Sequence, residues 1–139
     1  MREDAINGRM PNIVVSDADH DRLISLATAT IDRVPEVAEG LLAEMERANV
    51  VSTRSVPPNV VQMGSTVEVR PDDGQQRRVT LVFPGEADIA EGKVSILTPI
   101  GTALIGLSEG QSVMWTARDG RRHRLTVLAV EAPRAAAAL

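Results

Sequence analysis

The side chains with which this chain could do chemistry are few and scattered. His20 and His123 stand far apart in the sequence and have no partner ligands at regular spacing. A zinc or catalytic centre needs three or four convergent ligands, so neither histidine is expected to hold a metal or act in catalysis. Cysteine is absent, which removes disulfides and thiolate metal sites and fits a reducing compartment. No glycine-rich loop is present that could cradle phosphates, which excludes a nucleotide kinase. Arg118, Arg121, Arg122 and Arg124 crowd around one turn. Such a run reads first as a solvated loop and second as a contact for an acidic protein surface. No catalytic residue, metal or cofactor is expected, and the chain reads as a protein without enzymatic activity.

Composition narrows the alternatives. A chain of 139 residues with 43% apolar and 24% charged side chains suits one compact domain with a small appendage. No window reaches the roughly 18 apolar residues of a membrane span, and Met1 to Met10 lacks the apolar centre of a secretory signal. The expected location is cytoplasmic. Net charge is −4, and residues 16–48 hold three arginines against eight carboxylates, whereas residues 60–139 hold nine of each sign. Nucleic-acid binding draws most of its affinity from basic excess, so direct contact with DNA or RNA is not expected. With one Phe, one Trp and no Tyr, the chain cannot build a stacking surface for bases.

The elements follow from periodicity and punctuation. Residues 1–11 read as a disordered leader. Ser16-Asp17-Ala18-Asp19 has the form of a capping box, and Leu23, Ile24, Ala27 and Ile31 then trace an amphipathic helix. Asp32-Arg33-Val34-Pro35 ends it, with Pro35 suited to the first turn of a second helix. Val34, Ala38, Leu41, Met45 and Ala48 form that helix's stripe. Residues 12–50 are thus expected to form a short antiparallel helical hairpin that packs mainly on itself and projects. Pro57-Pro58 marks a linker over 51–59. Alternating strands are then expected around Val67–Val69, Val79–Phe83, Lys93–Leu97, Ser112–Thr116 and Arg124–Val130, with Phe83 and Trp115 pointing inward. Thr98 at an N-cap and Pro99 at the first helical position predict one short helix, with Ile100, Ala103, Leu104 and Leu107 on one face. The fold class is α+β, with the second domain over 60–131 and a tail over 132–139.

Gly64-Ser65-Thr66-Val67-Glu68-Val69, Thr80-Leu81-Val82, Glu86-Ala87-Asp88 and Gly92-Lys93-Val94-Ser95-Ile96 resemble, in order and spacing, the C-terminal domain of the Gre transcript cleavage factors. Thr98-Pro99-Ile100-Gly101-Thr102-Ala103-Leu104-Ile105-Gly106, with Gly110 after it, resembles that family's S-P-x-x-x-A-L-x-G…G-D signature. Gln111 replaces the signature's final Asp, and Leu97 stands at a position often polar in Gre factors. Short helices in place of a long coiled coil make the chain similar to the Gre relatives called regulators of nucleoside diphosphate kinase. The resemblance implies an FKBP-like C-terminal domain, a twisted antiparallel sheet with one short helix, and docking near the secondary channel of bacterial RNA polymerase.

Carried over from that signature, Leu97, Thr98, Pro99, Ile100 and Leu104 are the expected polymerase-binding residues. Gre factors hold acidic residues at a coiled-coil tip, where they help the polymerase bind a catalytic metal; the hairpin tip here offers Asp32 and Glu36. Carboxylates suit Mg²⁺, yet helices of about 14 residues reach only roughly 20 Å. Asp32 and Glu36 are therefore expected to be solvated helix ends, and no cleavage stimulation is expected. An aromatic-walled prolyl isomerase pocket cannot be assembled from Phe83 and Trp115. The expected protein is a monomeric transcription modulator that competes with Gre-type factors at the polymerase, without membrane contact. The alternative is an adaptor that regulates a metabolic enzyme such as nucleoside diphosphate kinase.

Overall fold

A computed structural model describes residues 11–72, 74–117 and 119–133; the expected leader, except Pro11, and most of the expected tail lie outside the described residues. Strand β1 (Val14–Ser16) runs into helix α1 (Asp17–Thr30), followed by α2 (Pro35–Arg47) and strand β2 (Asn49–Val51). β1 and β2 pair in parallel, Val14 opposite Asn49 and Ser16 opposite Val51, and so tie the two ends of the helical hairpin together. Then come β3 (Thr66–Pro71), β4 (Arg77–Val82), β5 (Lys93–Ser95), helix α3 (Pro99–Leu104), β6 (Ser112–Thr116) and β7 (Arg122–Glu131). They form a five-stranded sheet in the order β5-β4-β3-β7-β6. The sheet is antiparallel except at β5, which lies parallel to β4 because residues 83–92 carry the chain back through two 3₁₀ turns. No helix among the described residues is long and apolar enough to cross a membrane.

Local chemistry accounts for the hairpin. Ser16 caps α1 by accepting from the Asp19 amide at 3.0 Å. The Thr30 hydroxyl, buried at the last turn, donates to the Leu26 carbonyl at 2.8 Å. Pro35 opens α2, where its missing N–H costs nothing.

The hairpin does not project. Leu23 and Ala27 of α1 and Ala38, Leu41 and Met45 of α2 belong to one core with Val67, Leu81, Leu104 and Leu125. Two helices of 14 and 13 residues cannot close their apolar stripes on each other alone, so the sheet domain covers the remainder. Polar contacts lock this seat. The second carboxylate of the expected capping box, Asp19, turns away from the helix and accepts from the Met63 amide at 3.2 Å. The Arg22 guanidinium sits 4.2 Å from the centre of the Phe83 ring. Phe83 packs against the core as expected but is only half-buried, because β4 ends at Val82 and a 3₁₀ turn begins at once.

Burial raises the Asp19 carboxyl above its ordinary 3.8, outweighing the Met63 amide and Arg22, which lower it. The folded state thus favours the protonated form. Its stabilising contribution is full below about pH 3.8 and is lost as pH rises through the raised folded value. Asp19→Asn keeps an acceptor for the Met63 amide without the charge, so its stability should match the native protein in acid and exceed it at neutral pH. Asp19→Ala strands that amide and should cost about 1–3 kcal/mol in acid, and less at neutral pH, where the buried charge is removed with it. Urea titrations at both pH values check this. In the same assay Leu104→Ala, at 0% exposure, should cost about 2–5 kcal/mol. A Cβ at Gly40 of α2 would meet only Thr102 Cγ2, at 4.0 Å, so Gly40→Ala should stabilise the protein by about 0.5–1 kcal/mol.

Candidate functional site

The start of α3 is built by hydroxyls. The Thr98 hydroxyl donates to the Ser95 carbonyl at 2.7 Å and accepts from the Gly101 amide at 3.1 Å. Ser95 Oγ accepts from the Leu97 amide at 2.9 Å, and the Thr102 hydroxyl donates to the Ile96 carbonyl at 2.9 Å. Pro99, which has no N–H to satisfy, occupies the first helical position. Gly101 allows α3 to lie directly on the strand below it, because a Cβ there would overlap the Ser95 carbonyl oxygen. At Gly106, with φ +82°, a Cβ would come within 2.7 Å of Ile13 Cβ, and the Val14 amide donates to the Gly106 carbonyl at 3.1 Å. Thr98, Pro99, Gly101, Leu104 and Gly106 of the signature thus each have a structural task.

Of the residues expected to meet the polymerase, Leu97, Thr98, Pro99 and Ile100 lie together, each half-buried, at this helix start. Leu104 does not join them. It is fully buried in the core beneath α3, one turn beyond Ile100, and that corrects its assignment to the surface patch. Two shallow grooves meet at Pro99 and Trp115. One, of about 530 Å³, is lined by Ile89, Val94, Ile100 and Trp115 among others. The other, of about 660 Å³, runs between α2 and β6 past Val37, Gly40, Ala103 and Met114. Trp115, expected to point inward, packs against the core on the same strand face as Val113 and is half-buried where the two grooves meet. Its Nε1 is buried without a hydrogen-bond partner among the described residues.

Sequence reasoning missed Ile89, which stands 92% exposed on a 3₁₀ turn capped by Asp88. Its signal was an isoleucine between an Asp N-cap and Gly92, outside any strand alternation. Gln111, at the position of the signature's Asp, accepts from the Ser108 amide at 2.8 Å and donates to the Asn12 carbonyl at 3.2 Å. An aspartate could do the first but not the second.

The ionisable candidates stay separate. Asp32 and Glu36 are both exposed at the hairpin tip. His20 Nε2 lies 3.1 Å from the Met45 carbonyl, bridging the two helices. His123 stacks beside Trp115 with ring centres 5.6 Å apart and lies 3.4 Å from Asp72. The Arg124 amide, with help from His123, holds the Asp72 carboxyl below its ordinary 3.8. Arg121, Arg122 and Arg124 are exposed, and Arg118 lies outside the described residues. Among the described residues no group of three or more acidic, histidine or cysteine side chains converges on a metal position.

Comparison with known proteins separates the chain into two matched regions. Residues 56–132 match the family described as "Transcription elongation factor, GreA/GreB, C-term", and residues 11–51 match "Rnk N-terminus". A "Regulator of nucleoside diphosphate kinase" from Escherichia coli is 34% identical over 87% of this chain and 90% of its own length. A GreA elongation factor from Nitratidesulfovibrio vulgaris is 39% identical, over 57% of this chain and only 50% of its own. The solved structure of a GreA/GreB elongation factor from Nitrosomonas europaea superposes with a TM-score of 0.70 at 36% identity, covering 87% of this chain and 98% of that one. These relatives carry the names of regulators and transcription factors, not of enzymes. The chain belongs to the GreA/GreB-related family, in the branch formed with the regulator of nucleoside diphosphate kinase, and shares that regulator's helical N-terminal region as well as the Gre C-terminal domain.

Proposed function

We propose that the chain is a transcription modulator that docks on bacterial RNA polymerase near the secondary channel and competes there with Gre-type factors without stimulating transcript cleavage. The observation that carries this reading is the rigid, half-exposed turn Leu97-Thr98-Pro99-Ile100, held by three hydroxyl contacts within a domain of the elongation-factor family. An apolar patch of this kind, with Ile89 beside it, suits a moderate protein–protein contact. The hairpin supports the second half of the proposal. Its 14- and 13-residue helices span only about 20 Å and are packed on the sheet, so Asp32 and Glu36 stop short of a distant active centre.

Purified protein should bind bacterial core RNA polymerase saturably and be displaced by GreA. Replacing Pro99 and Ile100 together by alanine should weaken binding about tenfold, as expected for central contact residues. Asp32→Ala and Glu36→Ala should leave transcript cleavage unchanged. Absence of binding at tens of micromolar would reject polymerase docking and favour an enzyme partner such as the kinase in the name of the 34% identical relative.

A further inference from the structure

The groove between α2 and β6 has an unusual lining. Met114, Trp115 and Thr116 all border it, although neighbouring side chains of a strand point to opposite faces. Three consecutive residues line one groove only if the strand presents its edge. β6 is an edge strand, paired to β7 alone. The Ala117 amide donates to Arg121 at 2.9 Å and the Val127 amide to Gln111 at 2.9 Å, so residues 111, 113, 115 and 117 turn their main-chain groups toward β7. Met114 and Thr116 therefore turn theirs outward, and no partner for them occurs among the described residues. Val37, Gly40 and Ala103 supply an apolar wall and floor, and the absence of a side chain at Gly40 keeps the groove open. Among the described residues, the ionisable side chains that line it are Glu36 and Glu44, both carboxylates, with Glu44 shared by Arg47 at 2.7 Å.

We propose that this groove takes an extended segment of a partner protein, alternately apolar and basic, which adds to β6 as a sixth strand of the sheet. Outward main-chain groups give the pairing, the apolar wall takes every second side chain, and the exposed Glu36 carboxylate, with Glu44 already held by Arg47, selects for basic residues between them. The groove is continuous with the Leu97–Ile100 patch through Pro99 and Trp115, so one partner can fill both. The inference does not depend on that partner being a polymerase.

The chain has a single tryptophan, Trp115, and it borders the groove, so intrinsic emission reports occupancy directly. The probe is a capped peptide of three arginine–valine repeats, added to the full chain at low salt. A saturable emission change is expected, with a glutamate–valine peptide binding about tenfold more weakly. Thr116→Pro removes only an outward-facing N–H and should weaken the peptide about tenfold while thermal unfolding stays near that of the native chain. If that variant does not fold, Gly40→Leu fills the groove from the helix side and should give the same loss. No saturable change at millimolar peptide, equal binding of both peptides, or indifference to both variants overturns the proposal. So does a shift in Trp115 emission on deleting residues 1–10, which would make the chain's own leader the occupant. A shift on protein dilution alone would make it a second copy, with the same consequence.

Discussion

At the seat of α3, main chain rests against main chain. No side chain fits between Gly101 and the Ser95 carbonyl, and none fits between Gly106 and Ile13. These two approaches set the height of α3 above the sheet and the path of the N-terminal strand across the loop that follows it. Thr98 and Pro99 then stand at a fixed angle at the helix start, and Leu104 is driven into the core beneath. The Gly106 amide also donates to the Val61 carbonyl at 2.9 Å, and the Val61 amide to the Leu107 carbonyl at 2.8 Å. The same short loop therefore anchors the segment entering the sheet domain. Moving it would shift the hairpin, the sheet and both grooves together.

Polar groups placed at the seams set the relation of hairpin to sheet. Asp19, Arg22 and Gln111 each bond across a boundary: to the Met63 amide, the Phe83 ring and the Asn12 carbonyl. Apolar burial supplies most of the stabilisation but is indifferent to direction. Hydrogen bonds with a required geometry decide which of several packings is adopted. The raised carboxyl of Asp19 shows that this orientation is obtained at some cost in stability.

Much of the architecture was legible in the sequence because it rests on local rules. Ser16, Pro35, Thr98 and Pro99 are capping and first-turn residues, and each begins a helix where such residues should. The alternation of Val67 and Val69 and the strand around Leu81 were equally plain. Contacts between distant segments were not legible. The β1–β2 pairing involves only three residues on each side and has no period to detect. The docking of the hairpin depends on the total apolar area available, which a stripe on one helix does not disclose. Leu104 shows the same gap within the candidate site: its spacing placed it on the helix face, but only the neighbours of α3 determine that this face is interior. Phe83 and Trp115 pack against the core as the alternation implied, but each lies at or just past the end of its strand and so stays half-buried.

The clasp of β1 between β2 and Gly106 has a temporal side. Val14 meets Gly106, so β1 leaves the ribosome well before its second partner, the loop after α3, has been synthesised. Until then the part of the helices' apolar stripe that the sheet covers is open, and helices this short hold little structure unaided. Closing so long a loop is slow, and the interval before closure is when exposed apolar surface invites association with other chains. Residues 16–48 carry eight carboxylates against three arginines, and a net like charge of this kind opposes such association between copies.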